Sequence, residues 1–283
     1  MRGGSLRIII ALVVALIGAF SYYGTRSTNE VTGEVQHVSI TPDEEIALGL
    51  QAEPAMVQQF GGEVDPAHPV SQYVEEVGQR IVKETAAGKT PYKFDFHLLA
   101  DPETINAFAL PGGQVSITVG LLRRLTSEAE LAGVLGHEIG HVVGRHSAEQ
   151  LSKQRFTSTL VGAAGVATYD PNNPRSSVQT AAIAAAVAQM VNMRFGRQDE
   201  LDADAMGVKF MKESRYDPRG MEELMKVLAQ AGGGARQPEF FSTHPNPENR
   251  LARIDELIRQ NGGGGGDMGT AEFQKRAGAY LKK

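Results

Sequence analysis

The sequence predicts an α+β domain, mainly helical, with a small β-sheet set beside one of its helices. Three observations predict it. Apolar residues recur at helical spacing through most of the stretch from 41 to 260. One segment, 92–119, switches instead to alternation of apolar and polar residues around a Pro-Gly-Gly turn. The best-signalled helix carries His137-Glu138-Ile139-Gly140-His141, the pattern H-E-x-x-H.

Composition bounds what this domain does. With 283 residues, 41% of them hydrophobic, the chain can bury a sizeable core. Its formal net charge of -5 argues against nucleic acid as a partner. There is no cysteine, which excludes a thiolate metal site, a cysteine nucleophile and disulfides, and leaves metal chemistry to His, Asp and Glu.

In chain order, residues 1–24 read as an export signal: Arg2 and Arg7 precede an uncharged run from Ile8 to Phe20, then Ser21-Tyr22-Tyr23. The run is shorter than the roughly 20 residues of a comfortable membrane span, yet no A-x-A site follows it, so a cleaved signal peptide and an uncleaved signal anchor both stand. Either one places the rest of the chain outside the cytoplasm, periplasmic or attached to the membrane through its N-terminus. Residues 25–40 are polar with little periodicity and read as a linker. Thr41-Pro42-Asp43-Glu44 then starts a helix to about Gln59, with proline at its first position and acids in its first turn. Val70, Val74, Val77 and Ile81 form the apolar stripe of the next helix, from Pro69 to Glu84. Phe94, Phe96 and Leu98 alternate with Asp95 and His97 as a half-buried strand, and residues 107–110 and 114–119 flank Pro111-Gly112-Gly113 as a hairpin.

The metal helix begins at Ser127, a capping residue with Glu130 three positions on. Residues four apart share a helical face, so His137 and His141 reach one ion while Glu138 faces the water beside it. A catalytic zinc needs a third protein ligand. The run Arg197-Gln198-Asp199-Glu200-Leu201-Asp202-Ala203-Asp204 offers one: Glu200 and Asp204 lie at i, i+4, so one carboxylate can bind the ion while the other accepts the free N–H of a ligating imidazole. Asp199 and Asp202 read as solvated. His146, five residues past His141, falls off the metal face and reads as contacting backbone or solvent. Between the two ligand-bearing helices, residues 151–177 form a candidate lid, and the uncharged run 181–191, too short to span a bilayer, reads as a buried helix. After Asp204 come a helix at 221–229, a turn-rich run at 240–247 holding His244, and a final helix at 249–260 with Leu251, Ile254, Leu257 and Ile258 inward. Residues 261–283 read as a glycine-rich linker and a C-terminal tail.

The distant pair of H-E-x-x-H and Glu200-Leu201-Asp202-Ala203-Asp204 resembles the gluzincin metallopeptidases that include HtpX, BepA, LoiP, the mitochondrial Oma proteins and the type I CAAX prenyl proteases, and most resembles their periplasmic bacterial branch. Asn106-Ala107-Phe108-Ala109, Pro111-Gly112-Gly113, Gly120-Leu121-Leu122, Phe195 with Arg197, and Ser242-Thr243-His244-Pro245 with Arg250 carry the same resemblance. It covers about residues 41–257. Gly196 departs from it, standing where many relatives have serine, and no tetratricopeptide repeats follow as they do in BepA.

The resemblance implies a zincin-type domain over residues 41–260 and a zinc metalloendopeptidase (EC 3.4.24 type). One Zn2+ is held by His137, His141 and Glu200, with Glu138 as general base and Asp204 orienting an imidazole. Its substrates are expected to be unfolded or misfolded polypeptides, held along an edge strand around Gln114, Val115 and Ser116 with Asn106 nearby. His244 is expected either to fill the fourth metal position as a plug or, like Arg250, to donate to the oxyanion. The alternative is a zinc-stabilised, chaperone-like quality-control factor with little proteolysis. Such a scaffold needs the ligands but not the base, so the presence of Glu138 favours the enzyme. An integral CAAX-type protease would need several long apolar spans, and only one apolar N-terminal run is present.

Overall fold

A computed structural model describes residues 2–167, 194–231, 238–245 and 249–281. Two helices form its centre. α5 (Glu128–Val143) carries the H-E-x-x-H pattern, and α7 (Arg197–Glu213) packs against it over most of its length. The approach is close because both helices offer glycine at the contact: a Cβ on Gly140 would meet the Ala203 carbonyl oxygen at 3.0 Å. That closeness is what brings side chains from both helices onto one point.

Around this pair lie α3 (Pro69–Glu84), α8 (Arg219–Ala231) and α10 (Arg250–Gln260). Their stripes enter the same core, through Val74, Val77 and Ile81 of α3, Leu224 and Leu228 of α8, and Ile254 and Leu257 of α10. The apolar period of each predicts the helix that is found. α2 (Pro42–Gln59) starts where expected, with Thr41 closing a capping box with Glu44. Ser127 caps α5 by accepting from the Glu130 N–H, while Glu130 itself accepts from Thr126.

The sheet has three strands, β3 (Asp95–Leu99), β4 (Ala107–Ala109) and β5 (Gln114–Thr118), in the order β3-β5-β4, and a short helix, α4 (Val119–Leu122), follows β5. β4 and β5 form the expected antiparallel hairpin, its turn made by Gly112 and Gly113 at φ 84° and 113°. β5, however, is the central strand, parallel to β3 on one side and antiparallel to β4 on the other. The expectation that Gln114, Val115 and Ser116 present an edge is therefore corrected: both backbone sides of β5 are already paired. β4 holds the edge. Leu110 N–H donates to Gln114 O and Thr118 N–H to Asn106 O, a phase that turns the backbone groups of Ala107 and Ala109 away from β5.

The termini are more integrated than their composition suggested. α1 (Arg2–Gly24) lies along α6 (His146–Ala167), with Tyr22 stacked between His37 and Phe156. Among the described residues no helix is long and apolar enough to cross a membrane. The stretch read as a linker forms a two-stranded ribbon, β1 (Arg26–Thr28) with β2 (Val35–His37), docked on the end of α5: Asn29 donates to Val143 O and Gln36 to Gly144 O. At the other end, the tail forms α11 (Thr270–Arg276) and α12 (Gly278–Leu281), and Phe273 is fully buried in the main core. The candidate lid is helical up to Ala167; its remainder and the run 181–191 lie outside the described residues.

Candidate metal centre

Four donor residues converge at the α5–α7 crossing: His137, His141, Glu200 and His244, all fully or almost fully buried. One turn of α5 places Nε2 of His137 and of His141 3.1 Å apart. From α7, Glu200 sets Oε2 3.5 Å from His137 Nε2 and Oε1 3.5 Å from His141 Nε2. Nδ1 of His244 completes the group, 3.4 Å from His137 Nε2 and 3.0 Å from Glu200 Oε1. His244 is set by a short helix, α9 (Phe240–Thr243), where its N–H donates to Phe240 O and its ring stacks on Phe240 at 4.4 Å.

These separations fit zinc. Nitrogen and oxygen ligands at about 2.0–2.1 Å in tetrahedral array lie about 3.3 Å from one another. Ring nitrogens 3.1 Å apart in a dry site are also unfavourable unless a cation or proton lies between them. Burial works against a cationic His137, yet Asp204 and Glu200 outweigh it and raise its pKa to about 9. Burial and the neighbouring His137 instead push His141 well below the usual imidazole range. Burial alone would raise the carboxyl of Glu200, but His244 and His137 hold it well below its ordinary value.

Asp204, one turn after Glu200 on α7, meets His137: its Oδ1 lies 3.0 Å from His137 Nδ1. Arg250, the first residue of α10, grips Asp204 from behind with Nε and Nη2, each at 2.8 Å. Its Nη1 forms an ion pair with Glu200 Oε2 at 3.1 Å. Burial opposes the Asp204 carboxylate, and Arg250 with His137 overcomes it, lowering the pKa. Arg250 thus braces Glu200 and Asp204 of α7.

Glu138, one step round α5, has both carboxylate oxygens buried and without a hydrogen-bond partner. Burial raises its pKa, against the pull of His244 and His137. A cleft lined by Asn106, Phe108, Ala109, Phe195 and Thr243 runs from the β4 edge to His244. Asn106 is buried beside it with Oδ1 unpartnered.

A sequence-family model described as peptidase family M48 matches residues 70–258, which hold all of these groups. The chain belongs to peptidase family M48. Metallopeptidases of this family use zinc, the metal that the donor set fits. The chain is 35% identical over 186 residues to the beta-barrel assembly-enhancing protease of Escherichia coli, covering 65% of this chain and 38% of that protein. It is 31% identical over 225 residues to the mitochondrial metalloendopeptidase OMA1 of Schizosaccharomyces pombe, covering 77% of this chain and 62% of that protein. It therefore spans well under two thirds of the length of the first of these relatives.

Several residues at the M48 site were not legible as such. Asp199 is buried, accepting from Gly196 N–H at the start of α7 and from Gln150, so its reading as solvated is corrected. Phe195 stacks on His141 at 3.9 Å and Phe240 on His244; the first was visible only as part of a motif, the second only as part of a turn. The sequence position of His146 predicts contact with backbone or solvent. It is instead 3% exposed, with Nδ1 2.9 Å from Nδ1 of His141.

Proposed function

We propose that this chain is a zinc-dependent endopeptidase acting on unfolded or misfolded polypeptide outside the cytoplasm. The observation that carries the reading is Glu138, a fully buried carboxylate with no hydrogen-bond partner, set beside four converging donors. Burying such a group is costly, and a purely structural metal site has no use for it, so it favours catalysis over a zinc-stabilised scaffold. Zinc, when bound, supplies the Lewis acidity that acidifies water and polarises a scissile carbonyl.

The chain's own residues supply the rest. His137, His141 and Glu200 are the ligands, and Asp204 fixes the His137 ring by accepting its Nδ1–H. Glu138 takes a proton from the attacking water and passes it to the leaving amine. Substrate lies as an added strand on β4, where the outward backbone groups of Ala107 and Ala109 pair with it irrespective of its sequence. His244 acts as a plug: its Nδ1 faces the fourth corner of the ligand set. Arg250, committed to Asp204 and Glu200, serves as a brace and not as an oxyanion donor. The apolar α1, with Leu16 and Phe20 among its exposed residues, serves as a signal or membrane attachment.

The test is incubation of the purified chain with unfolded casein, with and without a chelator. Casein fragments that vanish on chelation and return with zinc support the proposal. Intact casein with the wild-type chain and with His244→Ala alike would reject it.

A further inference from the structure

Metal-ligating imidazoles are oriented by whatever accepts their second N–H. His137 has Asp204 for this purpose, whereas no carboxylate lies within hydrogen-bond reach of His141 Nδ1 among the described residues. What does lie there is His146, the first residue of α6, Nδ1 to Nδ1 at 2.9 Å with the rings edge to face at 82°. The Nε2 of His141 is the atom turned to His137 and Glu200, so as a ligand His141 carries its proton on Nδ1. His146 Nδ1 must then be the acceptor, and the His146 proton sits on Nε2.

We infer that His146 is a positioning residue for the metal centre, a neutral imidazole that accepts the Nδ1–H of His141 and fixes its ring as Asp204 fixes that of His137. The inference rests on the proposed zinc centre and adds to it a residue outside the ligand set.

The backbone between the two histidines is shaped for the contact. A helix continued through residue 146 would carry that side chain five positions on from His141, off its face. Instead α5 stops at Val143, and Arg145 takes the left-handed conformation at φ 59°, which is unfavourable for a non-glycine residue. Four contacts hold the turn. Arg145 pairs with the buried Glu45 of α2 and donates to Ile40 O at 2.8 Å, while Asn29 and Gln36 take the carbonyls of Val143 and Gly144. The turn swings His146 back over Gly144, which has room for it only because it lacks a side chain. A Cβ there would lie 2.7 Å from His146 Cε1 and nearer still to Nε2. Gly144 itself has right-handed helical angles that alanine adopts freely, so alanine at this position disturbs the ring and not the backbone.

The experiment measures the zinc dissociation constant of the full chain by competition with a chromophoric chelator, for wild type, His146→Ala, His146→Asn, Gly144→Ala and the Gly144→Ala/His146→Ala double variant. Thermal melts of the metal-free forms control for folding. Removal of His146 is expected to weaken zinc about ten- to a hundredfold. Asparagine, whose Oδ1 stands as far from Cβ as histidine Nδ1 does, is expected to restore affinity to within about threefold. Gly144→Ala should weaken zinc on its own and add nothing in the His146→Ala background, a coupling that a general loss of packing would not give. In proton NMR spectra of the zinc-loaded protein, the downfield Nδ1–H of His141 should persist in wild type and His146→Asn and vanish in His146→Ala. Wild-type affinity in His146→Ala, or an asparagine variant as weak as the alanine one with unchanged metal-free melts, would overturn the inference. Should the wild-type chain bind no zinc at all, the metal-centre reading fails instead.

Discussion

Nε2 of His244 lies 3.6 Å from Oε1 of Glu138, while Nδ1 of the same ring faces His137 and Glu200. One imidazole thus stands between the ligand set and the residue proposed as base, in the space where water and a scissile carbonyl would have to meet.

If His244 is a plug, His244→Ala raises basal cleavage of unfolded casein, because the fourth position opens without any change to the three ligands. An oxyanion donor would behave in the opposite way, lowering turnover with little change in substrate binding. Initial rates of the variant against wild type decide the sign; equal rates would remove both roles.

Glu138→Gln should keep the metal and lose cleavage by about a hundredfold or more, since an amide cannot accept the water's proton. Metal content by atomic absorption and turnover on casein are read on the same sample. Retention of more than a few per cent of wild-type activity would place the base elsewhere.

On α7 the register of the acids is testable by position. Glu200→Ala should strip zinc, Asp204→Ala should weaken it about ten- to a hundredfold, and Asp202→Ala should leave it bound. Zinc stripped by the Asp202 change and kept after the Glu200 change would show the ligand register to be wrong.

The C-terminal segment is expected to hold the domain together. Phe273 is fully buried, Met268 O accepts from Ala129 at the start of α5, and Arg276 packs on Tyr73 and pairs with Glu76. Phe273→Ala should cost about 3–5 kcal/mol in denaturant unfolding. A loss below about 1 kcal/mol would mean that the segment packs loosely.

Asp217 gives a pH dependence remote from the metal. Burial opposes its charge, but hydrogen bonds from Arg219 side chain and backbone, with Gly265 N–H, hold its pKa below the ordinary 3.8. A depressed acid stabilises the fold above its unfolded pKa and loses that contribution as pH falls through the folded one. Asp217→Asn should therefore lower the melting temperature at pH 6, and the gap to wild type should narrow as pH falls below 3.8. A gap that stays constant down to pH about 3 would show that the charge contributes nothing.

Local chemistry determined a great deal. The helical periods of α2, α3, α5 and α10, their caps at Thr41 and Ser127, and the Pro-Gly-Gly hairpin all depend on neighbours within a few residues, and a sequence states those directly. The same holds for His137 and His141, one turn apart on one helix, and for Glu200 and Asp204 on another. What tertiary structure alone decided is which separate pieces meet. Strand order is such a fact: alternation in β5 is the same whether it has one paired neighbour or two, so its central place could not be read and the edge passed to β4. Phe273 is one aromatic residue beyond a glycine run, and only the surface it covers makes it core. His146 shows the reason most plainly. Its sequence distance from His141 puts it off the metal face of an unbroken helix, and the break depends on Arg145 turning left-handed against Glu45, 100 residues away in the chain. A contact that needs a distant residue to bend the backbone leaves no periodic trace.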